Sequence, residues 1–494
     1  MNAPQVPAAG ESGSRRRRWP TVPQIRLRLA PEVVRIGLVW AAWLVVICAF
    51  QIVVQARFSP QRPDAVLVWT ASETGVGFPT AEGSGCRPYL ADPNMNEHVS
   101  FDSEYYISIA IAGYDDPRSS AYVWNGQRVV NGGVPTCTAD MDGWTPLNYA
   151  FMPGYPMTMR PVMAVESALP FTSNLTDTGR ATLAGIVVSA LGGLLAMLAL
   201  ARLMAFLERR GKTAAANGDD AETAGGSWGG VHGLRAAFYL LVFPTGFYLA
   251  QVYTEGLFIG LAFMACALAV EKRILAAAVL AVLAALTRQA GVFLAIPLAW
   301  AAFEILRDEQ SRPKGWRMGV PIGAALAPAV TFLAWLLSPL GQNWQTVERE
   351  FFGRSFDILG SIGMWQKSFA SLISGVDKTA PNGGYALYGG GPLHSSTSVF
   401  IALEFLALAL GILACIWLLR RMPGVALFGL AVIVLCAGSS SAQSMERYVV
   451  AVPAIFLMLA WFGRHEVFDR AWVLASTLLM GMLAMLFTFG FWVS

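Results

Sequence analysis

Charged residues are scarce in this 494-residue chain: Asp, Glu, Lys and Arg make up 14% of it, whereas hydrophobic residues make up 55%. A soluble domain carries roughly 25% charged residues, so this composition leaves too little charge to cover a surface that faces water. The mean hydropathy, +0.50, agrees. The composition excludes a soluble globular protein and predicts a polytopic membrane protein.

Three further shortages bear on the function. The net charge is only +3, from 35 Lys and Arg against 32 Asp and Glu, which argues against a protein that binds nucleic acid through its phosphates. Six cysteines cannot build a disulfide scaffold, and four scattered histidines do not make a histidine metal site. No nucleotide-binding loop, zinc-protease motif or CxxC pair occurs. The sequence predicts no certain cofactor, and a divalent cation on Asp102 and Glu104 stays open.

Apolar runs of the length of a membrane span recur along the chain. They predict an all-α bundle of about eleven transmembrane helices, at 33–54, 178–206, 236–252, 255–270, 274–287, 291–306, 319–338, 398–419, 422–440, 449–463 and 471–492. Segment 1–31 has four consecutive arginines and no apolar run, so we expect a disordered cytoplasmic N-terminus ahead of one transmembrane domain, 32–494. Lys and Arg gather at alternate connections, as the positive-inside rule requires.

Two connections are long, and the alternation predicts that both lie outside the cytoplasm. The first, 55–177, contains Cys86 and Cys137 in a compartment that permits oxidation; whether they form a disulfide stays open, because the sequence carries no geometry. The second, 340–396, is rich in glycine. Its segment 344–369 mixes charges with aromatic residues, which predicts a helix that lies on a membrane surface.

Ionisable residues avoid the interiors of the predicted spans. Arg35, Arg202 and Glu404 are exceptions, and they lie toward span ends or in the outer third. A proton-coupled transporter normally keeps such groups near mid-membrane. Polar residues gather instead at the external ends of spans, which predicts a site at the outer boundary between membrane and water.

The densest polar cluster is segment 101–110, which contains Asp102 and Glu104. Two acids at this spacing lie about 200° apart around a helix, so one can face a pocket while the other packs elsewhere. A carboxylate beside aromatic surface can serve as a general base. The alternative is an ordinary amphipathic surface helix, which this short segment taken alone favours.

The other candidate residues stand at turns between predicted spans. They are Tyr155, Arg160, Tyr253, Glu255, Arg288 and Arg447. Arg288 and Arg447 are notable because basic residues are otherwise biased inward. An arginine at this boundary can hold a lipid-linked phosphate by charge-assisted hydrogen bonds. The alternative is a snorkelling or ion-paired arginine, such as Arg288 with Glu255.

Taken in order, these segments resemble the PIG-V family, the GPI mannosyltransferase II group of GT-C glycosyltransferases. The matching positions are Phe101-Asp102 with Tyr106, Ile109-Ala110 with Gly113-Tyr114, segments 150–160 and 244–255, Leu286-Thr287-Arg288 with Gly291, and Ser444, Arg447 and Tyr448 with Pro453. The resemblance implies a GT-C-type bundle in the cell membrane with large extracytoplasmic loops. It also implies an inverting enzyme that transfers a sugar, commonly mannose, from a polyprenyl-phosphate donor.

By this resemblance, Asp102 matches the first-loop acid that acts as general base on an acceptor hydroxyl. Arg288 and Arg447 would bind the donor phosphate and stabilise the leaving group. Glu104 has no family counterpart, and we assign it as a second carboxylate or an acceptor contact. Phe101 stands where the family has Trp, and insertion 115–148 separates motifs that are usually close. The family's acceptor is therefore not carried over; a glycolipid, lipoglycan or protein outside the cytoplasm is expected.

Two other classes stay open as alternatives. A transporter or flippase of lipid-linked sugars would need a polar path through the bilayer, which the sequence does not display. A non-catalytic envelope assembly protein, with the fold but without the activity, fits the Trp-to-Phe change and the insertion.

Overall fold

A computed structural model describes most of the transmembrane domain. The described residues are 30–58, 95–116, 121–124, 127–130, 144–172, 174–215, 228–309, 312–353, 356–379, 391–439, 444–489 and 493. Segment 1–31, apart from its last two positions, lies outside these residues, as do Cys86 and Cys137. The described backbone is mostly helical, and the protein is an all-α polytopic membrane protein.

Each of the eleven predicted spans contains helix. In chain order the α-helices are α1 Pro31–Phe58, α2 Ser103–Ile111, α3 Gly154–Glu166, α4 Asp177–Ala215, α5 Gly230–Leu241, α6 Glu255–Val270, α7 Ile274–Thr287, α8 Ala295–Arg307, α9 Gly319–Leu336, α10 Pro339–Glu350, α11 Ile358–Ser374, α12 Ser395–Leu419, α13 Pro423–Ala437, α14 Met445–Tyr448, α15 Pro453–Phe462 and α16 Glu466–Thr488. Within the described residues, 6 helices are long and apolar enough to cross a membrane, or 7 if α14 and α15 with the turn between them form one span. Helices α6, α7 and α13 are apolar but shorter.

The predicted straight span 236–252 is broken. Helix α5 ends at Leu241, and a 3-10 turn, Gly246–Ala250, follows after Pro244. Proline lacks a backbone N–H and disfavours helix at the residue before it. The helix is therefore interrupted here, although the segment is apolar along its whole length.

The predicted span 449–463 is broken in the same manner. A 3-10 turn, Val449–Ala451, precedes α15, and the segments on either side of the break are bent by 84°. Pro453 begins α15, where its missing N–H costs no hydrogen bond. The two breaks touch, because the Thr245 hydroxyl donates a hydrogen bond to the Glu446 carbonyl at 3.0 Å. Irregular backbone is tolerated among helices where it is buried in protein or lines a cavity.

Three predicted boundaries also differ. Helix α1 continues to Phe58, so the first long loop begins after that residue rather than at 55. Helix α4 runs well beyond the predicted end at 206, and Arg209 and Arg210 lie in its last turns rather than in a connection. The predicted surface helix 344–369 is two helices, α10 and α11, separated by a break that contains Gly353 in a left-handed conformation.

The insertion 115–148 adds a small sheet to the helical fold, which the prediction of an all-α bundle did not include. Its antiparallel strands are β1 Ala121–Trp124, β2 Gln127–Val130 and β3 Trp144–Pro146, in the order β2-β1-β3. Val123 of β1 packs with Tyr105 of α2 and with Val347 of α10. The two predicted long loops are therefore joined by one apolar cluster.

Helices α4 and α6 cross at close range because glycines face each other. A Cβ on Gly256 would overlap the Ser189 carbonyl, and a Cβ on Gly192 would overlap the Gly256 carbonyl. The Ser189 hydroxyl donates a hydrogen bond to the Tyr253 carbonyl at 2.7 Å. These contacts fix the start of α6, and with it Glu255, against α4.

Two ion pairs lie at the C-terminal end of α6, opposite Glu255. Arg202 of α4 pairs with Glu271 just after α6, and Lys272 lies 3.7 Å from Asp308. Helix α6 therefore separates these ion pairs from the polar residues around Glu255.

The last residue of α3, Glu166, carries a prediction about pH. It is 5% exposed, neither of its carboxylate oxygens has a hydrogen-bond partner in the described structure, and burial raises its pKa from 4.5 to about 7 against a smaller opposing effect of Arg180. Between these two pH values the folded state keeps a proton that the unfolded state has lost, so stability falls as pH rises.

We expect Glu166→Gln to remove this loss. Its melting temperature in detergent should equal that of the wild type at pH 5 and exceed it by about 1–2 °C or more at pH 8. Glu466→Gln, at a 73% exposed side chain, is the matched control and should follow the wild type at both pH values. Equal pH slopes for Glu166→Gln and the wild type would contradict the assignment.

Candidate functional site

A cleft of about 590 Å³ opens where α6 begins and where α7 and α13 end. Its charged wall residues are Glu255, Arg288 and Arg447. Each comes from a different segment: Glu255 is the first residue of α6, Arg288 follows the last residue of α7, and Arg447 lies in α14. The helix breaks described above bring α14 to this position.

Glu255 lies between the two arginines. Its Oε1 atom is 2.5 Å from Nη1 of Arg288 and 3.2 Å from Nε of Arg447, and its side chain is 1% exposed. The ion pair of Arg288 with Glu255, expected as an alternative from the sequence, is thus present. One buried carboxylate thus serves two arginines, and an anionic ligand in the cleft would meet both guanidinium groups.

Aromatic rings hold Arg447 from several sides. Its guanidinium carbon lies 5.8, 5.5 and 5.3 Å from the ring centroids of Tyr248, Tyr253 and Tyr448. The Tyr448 ring also lies 5.3 Å from the guanidinium carbon of Arg288. Cation–π contacts within about 6 Å stabilise a charged group and restrict its movement, so Arg447 is held in one orientation.

Asp102 reaches the same arginine from α2. Its Oδ2 atom is 3.7 Å from Nη2 of Arg447, and its side chain is 34% exposed, against 10% for Arg447. The Asp102 backbone N–H donates a hydrogen bond to the Tyr253 hydroxyl at 3.3 Å, and this hydroxyl donates to the Ser100 carbonyl at 3.1 Å. Burial, and then the charge of Asp102, raise the pKa of Tyr253, so the phenol stays protonated and keeps donating.

Two strained residues flank the site. Phe101, directly before Asp102, has φ +54°, and Ser444, directly before α14, has φ +65°. The left-handed region costs a residue with a Cβ on the order of 1 kcal/mol, so surrounding contacts must impose it. Strain of this kind is concentrated at functional sites in proteins, and here it adjoins both the acid and an arginine.

Tyr155, Arg160 and Glu104 are not among the residues that line the cleft. The Tyr155 hydroxyl is fully buried, 2.8 Å from the Gly185 carbonyl. Arg160 donates hydrogen bonds at 3.0 Å to the carbonyls of two residues near the end of α2. Glu104 is 2% exposed. Their assignment as substrate contacts stays a prediction.

Aromatic packing joins these residues to the cleft. The Tyr106 ring lies 4.9 Å from that of Phe151, 5.1 Å from that of Tyr155 and 6.2 Å from that of Tyr253. Its pKa is raised by burial and then by the charge of Asp102. Tyr106 of α2 therefore packs against segment 150–160 and against the residue two positions before α6, so the three parts of the chain form one cluster.

A second, apolar groove of about 1270 Å³ lies on the other face of α13, between α11 and α12. Trp365 and Phe405 form part of its wall. Neighbouring α13 positions face the two cavities in turn: Ile433 lines the groove, whereas Val432 lines the cleft. One helix thus separates a charged cleft from an apolar groove of more than twice its volume.

From the sequence, no role was predicted for two residues that contact this region. Tyr248 packs against Arg447, and Glu404 accepts hydrogen bonds from the start of α14. The signal for Glu404 was its position as an acid inside an apolar span, since such residues are functional candidates by default. The part of the chain that is described contains no group of three or more His, Cys, Asp or Glu placed to hold a metal ion.

Fold and cleft together define a class: an all-α polytopic membrane protein that gathers two acids and two arginines at one end of its bundle. Among solved structures, the chain is similar to the Archaeoglobus fulgidus oligosaccharyltransferase in the apo form (13% identity, TM-score 0.39, 92% of this chain and 56% of that chain). It is also similar to the archaeal oligosaccharyltransferase AglB from the same organism, in complex with an inhibitory peptide and a dolichol-phosphate. In that comparison the identity is 13% and the TM-score 0.37, over 91% of this chain and 55% of that chain. The chain spans little more than half the length of these proteins. No protein-family model and no curated protein matches the sequence.

Proposed function

We propose that the protein is a GT-C-type membrane glycosyltransferase of the PIG-V kind. It transfers a sugar, with mannose as the expected one, from a polyprenyl-phosphate donor to a glycolipid, lipoglycan or protein acceptor at the extracytoplasmic face of the cell membrane. One observation carries the proposal: Asp102 and Glu255 both lie within 4 Å of Arg447, so Asp102 stands next to the cleft whose wall contains Arg288 and Arg447.

In the proposed reaction, Asp102 accepts the proton of an acceptor hydroxyl as that oxygen attacks the anomeric carbon of the donor sugar. The bond from this carbon to the phosphate oxygen breaks, its electron pair stays on the phosphate, and the configuration of the sugar inverts. Arg288 and Arg447 stabilise the charge that grows on the leaving phosphate. Asp102 is the more exposed member of the cluster, which suits a group that must reach the acceptor.

The balance of charge supports the role of Arg447. As the reaction proceeds, one negative charge leaves Asp102 and one appears on the phosphate. Arg447 contacts Asp102 before the reaction and belongs to the cationic wall that would face the phosphate. A cation placed between the two positions stabilises the charge throughout the transfer without moving, and preorganisation of this kind is a major source of catalysis.

The apolar groove supports a lipid-linked donor. A polyprenyl chain needs an apolar surface beside the site that holds its phosphate, and the groove lies one helix away from the cleft. The side chains of Trp365, Phe405 and Ile433 in its wall offer such a surface. A lipid phosphate needs a charged site for its phosphate and an apolar surface for its chain, and the two cavities on either side of α13 offer one of each.

The first test is sugar transfer by the purified protein from radiolabelled polyprenyl-phosphate mannose to a lipid and protein extract of the source cell envelope. We expect a labelled product whose mobility identifies the acceptor class. Donor binding without any transfer would favour the non-catalytic assembly protein. Movement of lipid-linked sugar across the membrane of proteoliposomes, without any transfer to an acceptor, would favour the flippase.

A further inference from the structure

A buried acid outside the cleft wall holds the segment that carries Arg447. Glu404 of α12 is 7% exposed, and both of its carboxylate oxygens accept backbone hydrogen bonds at 2.6 Å, Oε1 from Ser444 and Oε2 from Met445. These two N–H groups belong to the start of α14, where no helical partner exists for them. Ser444 occupies the N-cap position, yet its own side chain makes no capping hydrogen bond. Glu404 supplies the cap from another helix.

The same contact accounts for the strained backbone beside Arg447. Ser444 has φ +65°, a conformation that a serine adopts only when neighbouring contacts impose it. Two backbone hydrogen bonds accepted by one carboxyl group fix the direction of both N–H groups, and with them this turn. Met445, whose N–H is bound, is 1% exposed and packs in the main core of the bundle, so the turn cannot shift without disturbing the core.

Glu446 adds to the arrangement. Its carboxyl group is hydrogen-bonded to that of Glu404, and it is likewise 7% exposed. Neither of the two residues lines the cleft. The contact between them adds a second restraint on α14 from outside the cleft.

We propose that Glu404 is the positioning residue of Arg447: by binding the N–H groups of Ser444 and Met445 it aims the arginine at Glu255 and Asp102. It thereby sets the affinity for a polyprenyl phosphate that it does not touch. This statement about affinity rests on the proposed function, whereas the statement about the turn does not.

The test is a double-mutant cycle on the full chain in lipid nanodiscs, with polyprenyl phosphate as the ligand. Glu404→Gln keeps one acceptor oxygen and loses one cap bond, so we expect about tenfold weaker binding, equivalent to about 1.4 kcal/mol. In an Arg447→Ala background the same change should alter affinity by less than about twofold, because residues that act through each other are not additive. Glu404→Asp, which keeps the charge but shortens the reach, is the second variant if Glu404→Gln does not fold.

Glu271→Gln is the matched control, since it breaks the partly buried pair with Arg202 at the opposite end of α6. It should lower the melting temperature without changing affinity. The proposal would be overturned if Glu404→Gln lowered the affinity for polyprenyl phosphate by the same factor in the wild type and in Arg447→Ala. Wild-type affinity in both Glu404 variants would also overturn it.

Hydrogen exchange separates this proposal from the proposed function. The amides of Ser444 and Met445 should exchange at least about tenfold faster in Glu404→Gln than in the wild type or in Glu271→Gln. A wild type that binds no polyprenyl phosphate would refute the proposed function and the affinity statement, while faster exchange would still support the positioning of the turn. Unchanged exchange at both amides would refute the positioning itself.

Discussion

Asp102→Asn is expected to abolish sugar transfer, with turnover reduced by about 10³-fold or more. Asparagine has the same shape and keeps its backbone bond to Tyr253, but its amide cannot accept the proton of the acceptor hydroxyl. The change also removes the negative charge 3.7 Å from Arg447, so affinity for the donor phosphate should stay the same or increase. Transfer of radiolabel and donor binding, measured side by side on the purified variant and wild type, check both expectations.

Asp177→Asn is the control for this experiment. Asp177 is an acid whose side chain is 73% exposed and which pairs with Arg180, away from the cleft. Its variant should transfer sugar at the wild-type rate. If Asp102→Asn were fully active, Asp102 could not be the general base, and the base would have to be another acid, such as Glu104.

Arg447→Ala should weaken the binding of polyprenyl phosphate by about 100-fold or more. The substitution removes a cation that is held in place by Glu255 and by the rings of three tyrosines, and with it one of the two arginines in the cleft wall. Arg447→Lys keeps the charge but not the planar fork, and should fall between Ala and the wild type. Binding to purified protein in nanodiscs measures the series.

Arg202→Ala serves as the comparison for that series, because it also breaks an ion pair, one that is partly buried and lies at the opposite end of α6. We expect a lower melting temperature with donor affinity within about threefold of the wild type. Equal affinity of Arg447→Ala and the wild type would remove Arg447 from the donor site.

The helices were predictable, and their irregularities were less so. Apolar runs located a helix in each of the eleven predicted spans, because apolar side chains must face lipid or the bundle core along their whole length. Hydropathy does not register a local break in the backbone, however. The breaks at Pro244 and Pro453 had a signal in the prolines themselves, and weighting it would have predicted both. The sheet of the insertion is joined to α10 by contacts between distant segments, which a local pattern cannot indicate.

The candidate site was predictable as a set of residues but not as an arrangement. Arg288 and Arg447 attracted attention as cations at unusual positions, and Glu255 was expected to pair with the first of them. That one carboxylate serves both arginines depends on the crossing of α4 and α6 and on the bend before α15. Both are tertiary features, so spacing along the chain contains no information about them. The roles assigned to Asp102, Arg288 and Arg447 stay predictions until variants are measured.

The shortness of three helices around the cleft has a consequence for the bilayer. Helices α6, α7 and α13 have 16, 14 and 15 residues, so at 1.5 Å per residue they span roughly 21–24 Å of a hydrocarbon layer about 30 Å thick. All three contribute their ends, or the residue next to the end, to the charged cleft. Helix α6 is enclosed by protein along almost its whole length, whereas α7 exposes Leu275, Val279 and Leu283 at its outer face. A bilayer would have to thin or tilt beside a helix as short as α7, and such thinning would bring the water boundary closer to the cleft.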